Sequence, residues 1–252
     1  MHQMGRAVVF TAFPGLDLTC FFNCSFPCPI LIAGVRFIGG KYMESEETVF
    51  ERNYEDYLAQ LKNISIESIA PNLGGKVEEC VIKIPLLGIN YEVSVSGITD
   101  PSGNKPAYDI CVVLSKYLLL CPDVTPKENE WVSFRDFKDS GPLTNYFNND
   151  VERSIASYFK GRLAGLKKAS KSISGYRPNL DVNYDLAMQF DALPRIPVIL
   201  LFNDADEEFS AKCSVLFERR AEKYLDAECL AMLGWQLFNH LKRADKMEKH
   251  LK

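Results

Sequence analysis

Histidine is almost missing from this chain: His2, His240 and His250 are the whole supply among 252 residues. Two of the three lie at the chain ends, which leaves no basis for histidine-driven acid–base chemistry or a histidine-rich metal site. A basic surplus is missing too. The net charge is −4, whereas nucleic-acid binding rests on a basic footprint, so no nucleic-acid partner is expected. The apolar run Pro29 to Val35 is too short to span a bilayer, and it precedes no small-residue cleavage site. No membrane association is expected. A glycine-rich phosphate loop, a dinucleotide-binding fingerprint, a Ser-His-Asp set and an internal repeat are all absent.

What is present suits a cytoplasmic globular protein. Hydrophobic residues make up 47% of the chain and charged residues 25%, enough apolar material for a real core. The eight cysteines sit at irregular positions without a secretory signal. They read as reduced thiols that behave as small apolar side chains.

Residues 1–42 differ from the rest. They hold four charged residues and no amphipathic period. Cys20, Cys24 and Cys28 recur every fourth residue, but thiolate sites more often separate neighbouring ligands by two residues and need a fourth ligand. Gly39-Gly40-Lys41-Tyr42-Met43 can be encoded by a ribosome-binding sequence, a short spacer and a start codon. Met43 is therefore expected to be the start, with residues 1–42 a translated leader or disordered extension and 43–252 a single domain. The leader carries three positive charges and one negative, so the body has a net charge of −6 and five cysteines.

Through the body, periodicity predicts an α+β fold: a mainly antiparallel sheet packed with helices. Thr48 and Glu51 have capping-box spacing ahead of a helix to about Lys62, with Phe50, Tyr54, Tyr57, Leu58 and Leu61 on one face. Pro71 and Gly74-Gly75 close that region. Alternation over Cys80 to Ile84 and Ile89 to Val95 predicts a hairpin around Pro85 to Gly88, with Cys80 in the core. Residues 107–121 are apolar nearly all round, as in a helix buried on most sides. Asp150 is placed to cap a helix from Val151 to about Ser170. Its outer face carries Arg153, Lys160, Arg162, Lys167, Lys168 and Lys171. That basic face is either a docking surface for an anionic group or an ordinary solvated helix face. Two antiparallel strands meet near Ala192-Leu193-Pro194, and Pro197 demands an edge or bulge. Asp226 caps a last helix with the seam Leu230, Leu233, Leu237 and Leu241, beyond which the tail from Arg243 is expected to fray. His240, near that end, is expected to be solvated or stabilised by the helix dipole, and not a ligand.

The candidate site is the stretch Glu130 to Phe137. Trp131 and Phe134 offer contact area, Arg135 a fixed cation for a carboxylate or phosphate, and Ser133 a turn hydroxyl. A second candidate, Asp204 to Phe209, places four carboxylates in five residues but lacks the glycine and distant glutamate of a calcium loop. No metal is assigned, and no cofactor. Two readings stay open. In one, Trp131 to Asp136 binds an anionic ligand or partner. In the other, Asp136, Asp204 or Glu207 acts as a base while Arg135 holds an anionic substrate; Phe209 is a further candidate ligand-binding residue. A purely structural alternative makes Trp131 and Phe134 core and pairs Arg135 with Asp136 in an ion pair that orders the loop.

These stretches also resemble a family. Trp131-Val132-Ser133-Phe134-Arg135-Asp136-Phe137 is similar to the central motif of domain of unknown function 3786, known from anaerobic bacteria and archaea. Leu193-Pro194-Arg195-Ile196-Pro197, Phe202, the Asp204 to Phe209 loop, Val215-Leu216-Phe217 and Tyr224 to Glu228 continue the resemblance, which covers about residues 52–243. It implies no particular activity. Some relatives look like fusions to a four-cysteine iron–sulfur domain of the corrinoid type. The resemblance thus implies an accessory role near anaerobic redox, one-carbon or corrinoid metabolism, with a small anionic molecule or a partner protein as ligand. Cys20, Cys24 and Cys28 do not reproduce that cysteine spacing, so no cluster ligand follows.

Overall fold

The alternation over residues 80–95 builds a four-stranded antiparallel meander. Its strands are β1 (Lys76–Glu78), β2 (Val81–Leu86), β3 (Ile89–Ser94) and β4 (Gly97–Thr99), paired in that order. Ile82, Ile84, Leu86, Tyr91 and Val93 supply its dry face. The turn between β2 and β3 is tighter than the sequence implies: Pro85 lies within β2, opposite Asn90. Leu87 and Gly88 both have positive φ, 47° and 83°, a turn whose twist matches the flanking strands. Cys80 sits in the turn between β1 and β2, also at positive φ, and is exposed. The core position expected for it is thus corrected, because the turn residue precedes the alternating run and does not belong to it.

The computed structural model describes residues 46–127 and 130–250, and side chains from 49 to 247 within that range. The expected leader at 1–42 lies outside the described residues. Every described element from Glu47 onward belongs to one compact unit.

A second antiparallel sheet comprises β5 (Trp131–Ser133), β6 (Leu186–Leu193), β7 (Ile196–Asn203) and β8 (Lys212–Glu218) in the order β5-β8-β7-β6. The continuous apolar run of β7 is explained by its central place, buried from Ile196 through Phe202. Pro197 lies opposite Asp191, where the register with β6 shifts; the bulge absorbs the missing donor, as the sequence required. The two sheets meet at a hairpin turn: the Leu87 N–H donates to the Ala192 carbonyl at 3.0 Å, and Leu87 is buried.

Helices complete an α+β fold. The first, α1 (Glu46–Leu61), begins before Thr48, so Thr48 is not its cap. Next, α2 (Ile66–Leu73) contains Pro71 instead of ending before it. The Ser65 cap and the buried positions Ile66, Ala70 and Leu73 outweigh the one donor Pro71 lacks. Buried on most sides as expected, α3 (Tyr108–Leu119) shows little of its surface. The helix expected from Val151 starts earlier, as α4 (Gly141–Tyr146). It passes through a π turn (Phe147–Glu152) and continues as α5 (Arg153–Phe159). Asp150 therefore lies inside a helix and is no cap. Gly161, at φ 70°, separates α5 from α6 (Leu163–Ser172). The last helix, α7 (Ala227–His250), is capped by Asp226, whose carboxylate accepts the Cys229 N–H at 2.9 Å. Its Leu230, Leu233, Leu237 and Leu241 seam is fully buried, and the helix continues past Arg243 to His250, with no frayed tail there.

Candidate functional site

Local chemistry explains the shape of the Trp131 stretch. Ser133 ends β5, and both its N–H and its hydroxyl donate to the Asp136 carboxylate, at 3.0 and 2.5 Å. That pair of bonds, at capping-box spacing, folds Phe134–Asp136 into a single 3-10 turn. The hydroxyl of Ser133 is first among the causes that hold the Asp136 carboxyl below its usual range. Ser140 then closes the loop, its hydroxyl donating to the carbonyls of Arg135 and Phe137.

Two side chains of the motif are anchors. Phe134 stacks on Phe147 of the π turn with ring centroids 4.3 Å apart, and Phe137 meets Phe217 of β8 edge-on at 5.8 Å. Both are buried, whereas Trp131 is half-buried on the edge strand β5. Arg135 points the other way. Its side chain is 75% exposed, and among the described residues its carboxylate contact is Nε to Asp136 Oδ1 at 3.9 Å. That is no buried pair. The cation that ties the loop is Arg219 instead: its Nε donates to Glu130 at 2.6 Å and its guanidinium reaches the Asp136 carbonyl at 3.3 Å.

The acidic loop is also shaped by its own carboxylates. Asp204 accepts the N–H of Gly161 at 2.7 Å and of Ala205 at 2.8 Å, which pins the loop to the break between α5 and α6. Asp206 accepts the N–H groups of Glu208 and Phe209, and these bonds hold its carboxyl below its usual range. Glu207 is exposed, and Phe209 is 60% exposed. Among the described residues no hydrogen bond or ion pair joins Arg135 or Asp136 to Asp204, Glu207 or Phe209. The Trp131 stretch and the acidic loop are thus two separate features. Two open surface grooves, one between α5 and α7 and one between α1 and the β3–β4 turn, include none of these side chains. Among the described residues no three histidine, cysteine or carboxylate side chains gather closely enough to hold a metal ion. None of the described helices is long and apolar enough to cross a membrane.

Three polar groups matter more than sequence reasoning allowed. Arg195, from the Leu193 to Pro197 stretch, donates to the carbonyls of Asn72 at 3.0 Å and Pro71 at 2.7 Å, closing the C-terminal end of α2. Tyr117 of α3 joins the same knot: its hydroxyl donates to the Leu73 carbonyl and accepts the Arg195 N–H. Gly74 makes room for it, since a Cβ there would sit 3.1 Å from Pro194. Glu152 accepts the Val215 N–H at 2.9 Å, on the part of β8 that short β5 leaves uncovered; burial raises its carboxyl pKa, and Arg135 partly offsets this. His240 is 6% exposed, with no partner for Nδ1, and burial, then Arg243, pushes its pKa down to about 4. The expectation of a solvated His240 is corrected. Gln236, His240 and Ala244 are buried beside the leucine seam, so α7 is covered on more than one stripe. A capping signal was visible in Ser133-x-x-Asp136. Nothing local marked Arg195, Glu152 or His240.

Comparison with known proteins found no match among curated proteins and none among solved structures. A family model does match, over residues 65–240, and its span takes in every strand of the second sheet, the Arg195 knot and the Trp131 stretch. The chain belongs to the domain of unknown function DUF3786 family.

Proposed function

We propose that the protein is a cytoplasmic binding or accessory protein, and that Arg135, beside half-buried Trp131, receives an anionic group of a small molecule or partner protein. One observation carries this reading. Every other polar side chain of the stretch is occupied in holding its shape, while the Arg135 guanidinium stands out in solvent on a turn fixed from below by Phe134 and Phe137. A planar cation on a pre-shaped loop suits carboxylate or phosphate recognition. The setting we infer, anaerobic redox, one-carbon or corrinoid metabolism, rests on family membership alone.

The carboxylate-enzyme reading has less support. A general base works best with a raised pKa. Asp136 is held low, and Asp204 is engaged by backbone donors. Native purification under anaerobic conditions, followed by mass spectrometry of co-purifying small molecules and proteins, tests the binding reading. A ligand or partner retained by the wild type and lost from Arg135→Ala at unchanged thermal stability is the expected result. Equal retention by both proteins contradicts it.

A further inference from the structure

The basic face read from the sequence has a more specific feature than charge alone. Between α5 and α7 runs an open groove lined by Asn149, Arg153, Ser154, Ser157 and Tyr158 from one side and Phe238 and Lys242 from the other. No carboxylate lines it, although the chain as a whole is acidic. Asp245, close behind, is neutralised within the scaffold. It is 6% exposed, takes two hydrogen bonds from Arg162 at 2.9 and 3.1 Å, and accepts the Tyr158 hydroxyl at 3.0 Å. Among the described residues no carboxylate forms an ion pair with Lys242.

Both cations are held in place. The Lys242 ammonium lies 5.6 Å from the Phe238 ring centroid and 5.8 Å from that of Tyr158. Those rings offer a weak attraction that a true anion would exceed. Arg153 donates to the Asn149 side chain at 2.9 Å, which turns its guanidinium along the groove. The support comes from the π turn. Its wider spacing lets the Ser154 hydroxyl reach back five residues to the Asn149 carbonyl at 3.2 Å, bringing Asn149, Arg153 and Ser154 together on the groove side. Such turns recur at functional sites, which is a separate pointer from the charge.

We propose that this groove binds the phosphate group of a small anionic ligand. Two cations from different helices, in a groove that Ser154 and Ser157 also line, match the charge and acceptor pattern of a phosphate dianion. The groove shares the π turn with the Arg135 region but none of its lining residues, so it stands independently of the reading above.

The test is an NMR titration of the full ¹⁵N-labelled chain with inorganic phosphate, ionic strength being held constant with chloride. Saturable shifts confined to the amides of 149–158 and 238–242 are expected. Lys242→Gln and Arg153→Gln should each weaken the apparent Kd about tenfold. Lys160→Gln and Lys167→Gln, on the same basic face but outside the groove, should leave it unchanged, as should Arg135→Ala. Thermal midpoints within about 2 °C of wild type, as for surface substitutions generally, show that the variants fold. Shifts that spread over α6, that fail to saturate, or that survive loss of both Arg153 and Lys242 overturn the proposal.

Discussion

Arg195 and Arg135 sit in two of the stretches that carry the family resemblance, and the protein uses them in opposite ways. Arg195 turns inward and closes the end of α2 through two backbone carbonyls, joining that helix to α3 and the β6–β7 turn. Arg135 turns outward from a loop that other groups already hold. Arg195 is half-buried and makes two charge-assisted bonds to carbonyls, one part-buried and one at the surface. Such bonds are worth about 1.5–3 kcal/mol, so the first arginine belongs to the fold. Removing an exposed guanidinium with one long contact costs little. Arg135 is therefore available for recognition in a way that Arg195 is not. A recurring arginine is no evidence for a site until its partners are known.

The largest effect should come from the residue next to Arg135. Phe134→Ala removes the ring stacked on Phe147 and should lower unfolding free energy by about 3–5 kcal/mol, read from urea midpoints. A loss below about 1 kcal/mol would mean that the loop is not anchored from beneath. Arg195→Ala comes next, at about 2–3 kcal/mol. A variant as stable as wild type would erase the contrast between the two arginines.

Acid tests the inward-facing groups in another way. The folded His240 pKa, about 4, lies below the ordinary 6.5 because of burial and the nearby Arg243. The unfolded chain therefore binds the proton first, and stability intact above pH 6.5 is lost as pH falls towards 4. This amounts to about 2 kcal/mol at pH 5. Urea midpoints at pH 7.5 and pH 5 should show the slope in the wild type and a smaller one in His240→Leu, which replaces an unpartnered ring by a hydrocarbon. Parallel slopes would place the acid sensitivity elsewhere.

The contrast also explains what could be read in advance. Strands announced themselves wherever one face or both are dry, as in β2, β3 and β7. The same holds for α3 and the leucine seam of α7, whose burial follows from local pattern. The Trp131 stretch stood out by composition, and its turn follows from Ser133 and Asp136. The carbonyl partners of the Arg195 guanidinium lie more than 120 residues away in sequence, beyond any local signal. A π turn has no periodicity that distinguishes it from the helices it joins, so Asp150 mimicked a cap. The charged period continues across Gly161, so nothing local marks the break between α5 and α6. The left-handed φ of that glycine and its bond to Asp204 depend on a loop from another part of the chain. Cys80 was misplaced by one residue of alternation, the usual hazard at the mouth of a hairpin.

Arg135→Ala should have the smallest effect on stability, within about 0.5 kcal/mol of wild type, and it is the most direct test of the central claim. Thermal unfolding and native co-purification would be measured on the same preparations of wild type and variant. Loss of the co-purifying ligand or partner at an unchanged melting temperature is the predicted result. A melting temperature lowered by several degrees, with the ligand or partner still retained, would make Arg135 a part of the scaffold like Arg195.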